Sequence, residues 1–209
     1  MRLIAPLLAA LSLAAPAHAG DLVVTVLTTA GKAVPNAVVM VRPAGYSSRA
    51  PIRFPWPYRM AQRGMQFDPF VLIVPVGAVV AFPNMDSFKH HVFSFSPAKT
   101  FELKLYGRDE TRAVKFDKPG VVGLGCNIHD DMSAFIRVVD TPFAARSGAR
   151  GEALIRDLPA GPVTVTVWYP YFKVRGGEII RDAMAPASGA LSLTVKGDVR
   201  ASPLRHGGY

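Results

Sequence analysis

The chain has 209 residues, one Cys, 18 Gly and 18 Pro, and 24 Lys+Arg against 15 Asp+Glu, a formal net charge of +9. With 50% apolar and 19% charged residues it is too hydrophobic to stay disordered, and its scattered prolines exclude a mostly helical chain because proline interrupts helix interiors. One cysteine excludes an intramolecular disulfide framework, and basic residues that never run together give no nucleic-acid-binding stretch, so the expectation is an all-β protein without a nucleic acid partner.

Met1-Arg2 is followed by an almost wholly apolar stretch from Leu3 to Pro16, and Ala17-His18-Ala19 places small residues where a signal peptidase reads. This predicts a signal peptide over residues 1–19 and a periplasmic or secreted chain from residue 20, with the net charge reduced to +8 by the loss of Arg2. The longest later apolar stretch, Val71 to Pro83, is too short to span a bilayer and is broken by Pro75 and Gly77, so no integral membrane segment is expected after cleavage. In an oxidising compartment an unprotected thiol pairs or oxidises, so something is expected to occupy Cys126.

Along the exported chain, LVVTVLTT and NAVVMVRP flank the turn-rich GKAVP and read as a β hairpin within residues 20–64. Residues 43–64 then read as a loop in which Pro43, Pro51, Pro55 and Pro57 interleave with Arg49, Arg53, Arg59, Arg63 and with Phe54, Trp56 and Tyr58. A connector whose rings cover a sandwich core is preferred there to a partner-docking surface. Residues 65–140 hold QFDPFVLIVPVG, AVVAFPN, HHVFSFS, TFELKLYG, TRAVKFDKPG, VVGLGC and AFIRVVD, short β-rich runs at the spacing of a Greek-key sandwich. Residues 141–198 add EALIRDL, the turn PAGP, VTVTVWYPYF and LSLTVK as a C-terminal β region, and residues 199–209, with His206, read as a flexible tail. No repeat of fixed period is present.

Chemistry concentrates in Cys126-Asn127-Ile128-His129-Asp130-Asp131-Met132, where a thiol, an imidazole and a thioether lie within seven positions between two strands. Soft sulfur with imidazole selects copper over hard cations, and a trigonal two-His, one-Cys set with a weak axial Met is the ligand set of blue-copper electron-transfer sites. A second imidazole must come from Lys89-His90-His91-Val92. Adjacent strand residues face opposite ways, so only one of the two histidines points at a metal. Alternation alone favours His91, whose face Phe93 and Phe95 would share as core residues.

Residues 66–140 resemble a cupredoxin, in particular the amicyanin and plastocyanin branch, on two stretches: FPNMDSFKHHVFSFS, and TRAVKFDKPGVVGLGCNIHDDM with its Cys-x-x-His-x-x-Met spacing. The combination is also similar to secreted cupredoxin-like proteins often labelled methylamine utilization proteins. The resemblance implies one type 1 copper ion held by His90, Cys126 and His129 with Met132 axial. It places the ligand at His90 rather than His91, which stands where the family usually has Asn. Asp130-Asp131 also replaces the more apolar residues often found beside the exposed histidine, and the stretch is short for eight strands. The flanks, VTVLTTAGKAVPNAVVMV and GEALIRDLPAGPVTVTVWYP, resemble the two ends of a transthyretin-like or carboxypeptidase-regulatory-like β-sandwich. They are expected either to pair across the inserted cupredoxin or to lend the first hairpin to it.

The function this implies is a non-enzymatic, periplasmic carrier of single electrons whose partner is a c-type cytochrome or an amine dehydrogenase-like donor. Two other readings stand beside it: a copper carrier or sensor using Met60, Met65, Met85 and the extra His91, and a binding β-sandwich with structural copper. No Ser-His-Asp order, phosphate-binding Gly-rich loop or paired-carboxylate pattern suggests catalysis.

Overall fold

A computed structural model describes residues 19–47, 50–129 and 131–201; the expected leader up to residue 18, and His206 with the rest of the C-terminal residues, lie outside the described residues. In chain order the strands are β1 (Ala19–Thr28), β2 (Val38–Pro43), β3 (Ala61–Arg63), β4 (Gln66–Asp68), β5 (Val71–Pro75), β6 (Ala78–Pro83), β7 (His90–Ser96) and β8 (Lys99–Tyr106). They continue as β9 (Thr111–Phe116), β10 (Gly120–Gly125), β11 (Ser133–Val139), β12 (Ala144–Arg146), β13 (Glu152–Pro159), β14 (Gly161–Trp168), β15 (Glu178–Ala185) and β16 (Ala190–Gly197). The molecule is all-β, and no helix among the described residues is long and apolar enough to cross a membrane.

The middle of the chain forms a five-stranded sheet in the order β5-β11-β10-β7-β8 and a ribbon of β6 with β9. Between them Leu72, Val74, Val80, Phe82, Val92, Phe116, Leu124 and Ile136 make one core, to which Cys126 and Met132 also belong. Inward residues two apart on each strand supply it, as the period of a half-buried strand requires.

The first two strands do not pair as the hairpin their sequence suggests. β1 lies between β13, antiparallel, and β16, parallel, whereas β2 lies between β12 and β14 in a second sheet that ends on β15. Their apolar faces explain this: Leu22, Val24 and Val26 of β1 meet Val39 and Val41 of β2 in a single buried group with Val163, Val165, Val167 and Val195. Stacking two layers buries both rows, whereas a side-by-side hairpin would leave each row needing another cover. The flanking segments therefore pair with each other across the intervening residues, and neither strand joins the sheets of the middle stretch.

Three strands were not foreseen. β3 sits in the expected loop, β12 is three residues long, and β15 is an edge strand buried only at Ile179 and Ala185, so no alternation marks it. The expected tail is attached at its start: Val199 bridges to Phe172, and the Arg200 N–H donates to the Tyr171 carbonyl at 2.9 Å.

A third buried group joins the two halves. Val38 and Met40 of β2 meet Val71 and Ile73 of β5, Val139, Ala144 and Trp168. The rings of the loop at 54–58 cover this seam: Phe54 and Trp56 are stacked at 4.7 Å, and Trp56 Nε1 donates to the Ile73 carbonyl at 2.8 Å. Arg137, which leaves the outer face of β11, donates to Glu178 Oε1 at 2.6 Å and lies 5.9 Å from the Trp168 ring centroid.

Gly151 is needed where β13 begins. Its φ is +78°, its carbonyl accepts from the Val26 N–H at 2.8 Å, and a Cβ there would stand 2.4 Å from the Val26 carbonyl oxygen. Backbone cannot move aside as a side-chain tip can, so Gly151→Ala is expected to lower unfolding free energy by about 3 kcal/mol, measured by urea denaturation.

Candidate metal centre

Cys126 leaves the end of β10, and Met132 immediately precedes β11. The loop between them folds back, with the Met132 N–H donating to the His129 carbonyl at 2.9 Å. Asn127 and Ile128 lie in the turn, in keeping with the Asn preference for turn positions. The return brings both sulfur-bearing residues into the core, where Cys126 is 5% and Met132 2% exposed, and leaves His129 half-buried.

His90 opens β7 and is fully buried. Its pairing with β8 is irregular: His90 stands opposite Tyr106 and Val92 opposite Leu103, so β8 bulges by one residue opposite His91. Alternation holds along β7, but the face it buries is that of His90, Val92 and Ser94 and not that of Phe93 and Phe95. Phe95, expected in the core, is 79% exposed, and Val92 and Ser94 are buried along with His90. His91 is buried on its own account, with Nε2 2.8 Å from Glu102 Oε1 and Nδ1 lacking any hydrogen-bond partner.

The structure thus gathers His90, Cys126 and His129 and sends His91 elsewhere. Cys126 Sγ is 3.8 Å from His90 Nδ1 and 3.9 Å from His129 Nδ1, and the ligand atoms of the three residues all lie within 4.8 Å of one another. An ion about 2.3 Å from sulfur and about 2.0 Å from nitrogen in a trigonal arrangement separates those donors by about 3.7 Å, close to both sulfur–nitrogen spacings. One cysteine sulfur and two imidazoles, with a thioether in the same buried group as the sulfur, form a soft donor set that fits a single copper ion.

The loop ahead of β7 supports His90. Asn84 is almost fully buried and spends its side chain on backbone: Nδ2 donates to the Phe88 and Tyr106 carbonyls at 2.8 and 3.0 Å, and Oδ1 accepts from the Asp86 N–H at 2.9 Å. Asp86 accepts from the Gly64 N–H at 2.7 Å and the Met65 N–H at 3.1 Å, and its Oδ2 lies 2.8 Å from His90 Nε2. Burial pushes the Asp86 carboxyl up, but hydrogen bonds from Gly64, His90 and Met65 outweigh it and hold the group below the usual carboxylate range. Tyr106 is buried beside the site with its hydroxyl donating to Gln62 Oε1 at 2.6 Å, and burial raises its phenol.

Phe88 closes the outer side. Its ring centroid is 5.1 Å from that of His90 and 5.5 Å from that of His129, and the residue is 41% exposed. Neither Phe88 nor Asp86 stands out in the sequence, where both lie inside the stretch FPNMDSFKHHVFSFS with no chemical pattern of their own.

No protein-family model matches this chain, and no curated protein does. Among solved structures it is similar to cupredoxins. A Cu-containing nitrite reductase from Thermus scotoductus is 29% identical over 47% of this chain and 25% of that protein, with a TM-score of 0.39. A purple cupredoxin from Nitrosopumilus maritimus is 22% identical over 39% of this chain and 98% of its own, with a TM-score of 0.36. A mutant of amicyanin is 17% identical over 39% of this chain and 80% of its own, with a TM-score of 0.37. This chain spans only a quarter of the reductase it matches.

Proposed function

We propose that this chain is an exported type 1 copper protein that carries single electrons between redox partners, with copper held by His90, Cys126 and His129 and with Met132 as the axial ligand. The observation that carries the reading is the trio, two of its members buried and His129 half-buried, in which two Nδ1 atoms converge on one sulfur. Bound copper supplies a one-electron couple. Everything else is the work of the chain.

Cys126 contributes the anionic sulfur, and burial shields that sulfur from the oxidants of an oxidising compartment. His90 is fully enclosed and fixed from behind, whereas His129 is half-buried and reaches toward the surface beside Phe88, so it is the edge through which an electron enters or leaves. A donor set embedded in a packed core moves little when its charge changes by one, which suits electron transfer more than catalysis. The partner class in this reading is a c-type cytochrome or an amine dehydrogenase-like donor, met in the periplasm. A carrier that releases copper is less well supported: of the methionines it would use, Met60 is fully buried in the core, and His91 is occupied by Glu102.

The test is the visible and electron paramagnetic resonance spectrum of the purified, copper-loaded protein. An intense visible thiolate-to-copper(II) band, with the narrow copper hyperfine splitting of a strongly covalent Cu–S bond, is the expected outcome. A colourless Cu(II) complex overturns the reading.

A further inference from the structure

We propose that Asp86 is a positioning residue for copper: clamped by the turn between β3 and β4, it fixes His90 with its hydrogen on Nε2 and presents the bare Nδ1 to the metal. The inference rests on the copper reading above and extends it to a segment outside the ligand loop.

Hydrogen-bond roles around Asp86 fix the His90 tautomer. Asp86 Oδ1 takes the Gly64 N–H at 2.7 Å, and Oδ2 takes the Met65 N–H at 3.1 Å. Backbone N–H groups only donate, so both carboxylate oxygens act as acceptors. Oδ2 also lies 2.8 Å from His90 Nε2, and an acceptor there requires the ring to supply the hydrogen. A neutral imidazole with hydrogen on Nε2 has its lone pair on Nδ1, the atom 3.8 Å from Cys126 Sγ. The tautomer that binds a metal is thus selected before any metal arrives.

The clamp is built for an anion. Gly64 and Met65 both have left-handed backbone, with φ of 61° and 59°, the conformation of a tight two-residue hairpin turn, and it aims their successive N–H groups at one carboxylate. Met65 holds this conformation without being glycine, which a side chain rarely does. The receiving loop is pinned in turn by buried Asn84. Arg63 turns its guanidinium toward Met85 Sδ at 3.1 Å and has no ion pair with Asp86, so the carboxylate's negative charge is directed at the histidine.

A negative charge hydrogen-bonded to a ligand favours Cu(II) over Cu(I). Asp86→Asn removes that charge while keeping the size of the side chain. We expect it to weaken Cu(II) relative to Cu(I) about tenfold, which raises the reduction potential by about 59 mV for a one-electron couple. Asp86→Ala removes the acceptor as well, and in the metal-free protein it is expected to replace the single Nε2–H nitrogen-15 signature of His90 by a mixture of tautomers. Redox titration, nitrogen-15 spectra of the apo-proteins and thermal midpoints of all three proteins are measured together.

A role in stability alone predicts lower midpoints with potential and tautomer unchanged, and that result overturns the proposal. So does a wild-type apo-protein whose His90 carries its hydrogen on Nδ1. A wild type with no thiolate-to-copper band overturns the copper reading instead, whereas a coloured wild type matched in potential and tautomer by its variants overturns the role of Asp86 alone.

Discussion

Cys126→Ala is expected to abolish the visible absorption of the copper-loaded protein and to weaken copper binding by more than about 100-fold, the upper range for loss of a mere supporting contact. The sulfur is the common neighbour of both imidazoles, 3.8 Å from one and 3.9 Å from the other, and no second cysteine exists to replace it. Its removal leaves two neutral nitrogens and a thioether, a set with no anionic donor. The apo-protein should notice far less. A thiol is a small hydrophobe, and trimming it to a methyl group at a 5% exposed position changes stability by about 1 kcal/mol. Copper titration followed by absorption, with a urea melt of the metal-free variant, separates the two effects; a variant that keeps both colour and affinity would exclude Cys126 as a ligand.

The second large effect is expected at the seam. Glu178→Ala should lower unfolding free energy by about 3 kcal/mol, because it leaves the Arg137 guanidinium buried without its counter-ion. The Arg137 side chain is 11% exposed and that of Glu178 33%, so the loss falls at the lower end of the range for broken buried pairs. Burial already lowers the Arg137 pKa, and the neighbouring carboxylate works against that shift. Arg137→Met in the same chain should restore most of the stability, since its thioether stem can still lie on Trp168 and no orphaned charge remains. Urea denaturation of the single and double variants measures this. A single variant as unstable as the double would show that the pair's partner charge is not the issue.

What could be read in advance depended on distance along the chain. Cys126, His129 and Met132 share one seven-residue loop, so their chemistry was visible as a motif. His90 was not settled by its own neighbourhood: period-two alternation pointed to His91, and only the cupredoxin resemblance favoured His90. The physical reason is that Phe93 and Phe95, taken as core, lie on the more exposed face of β7, while Val92 and Ser94 share the inward face with His90. Asp86 was invisible as a functional group because its donors, Gly64 and Met65, sit 22 and 21 residues away in a hairpin whose first strand, only three residues long, fell within the stretch read as a loop. The same limit applies to the flanks. The runs that became β1 and β2 were legible as strands, but their partners β13, β14 and β16 lie more than a hundred residues downstream, and local pattern carries no information about such pairings. Gly151 is a further case, since its closest constraint is the Val26 carbonyl, more than a hundred residues upstream.

The placement of β1 also sets an order of assembly. Of the described strands, the earliest, β1, is the central member of its sheet, and both its neighbours come late, with β16 the latest of them. As the chain is delivered from its N-terminal end, β5 through β11 are complete long before β1 has anything to pair with, and their contacts span shorter loops. The half that carries the His-Cys-His site is therefore free to close early, and the flanking strands shut over it afterwards like a clasp, so a truncation that removes β16 should leave β1, still paired with β13, as an exposed, aggregation-prone edge while that half is already formed.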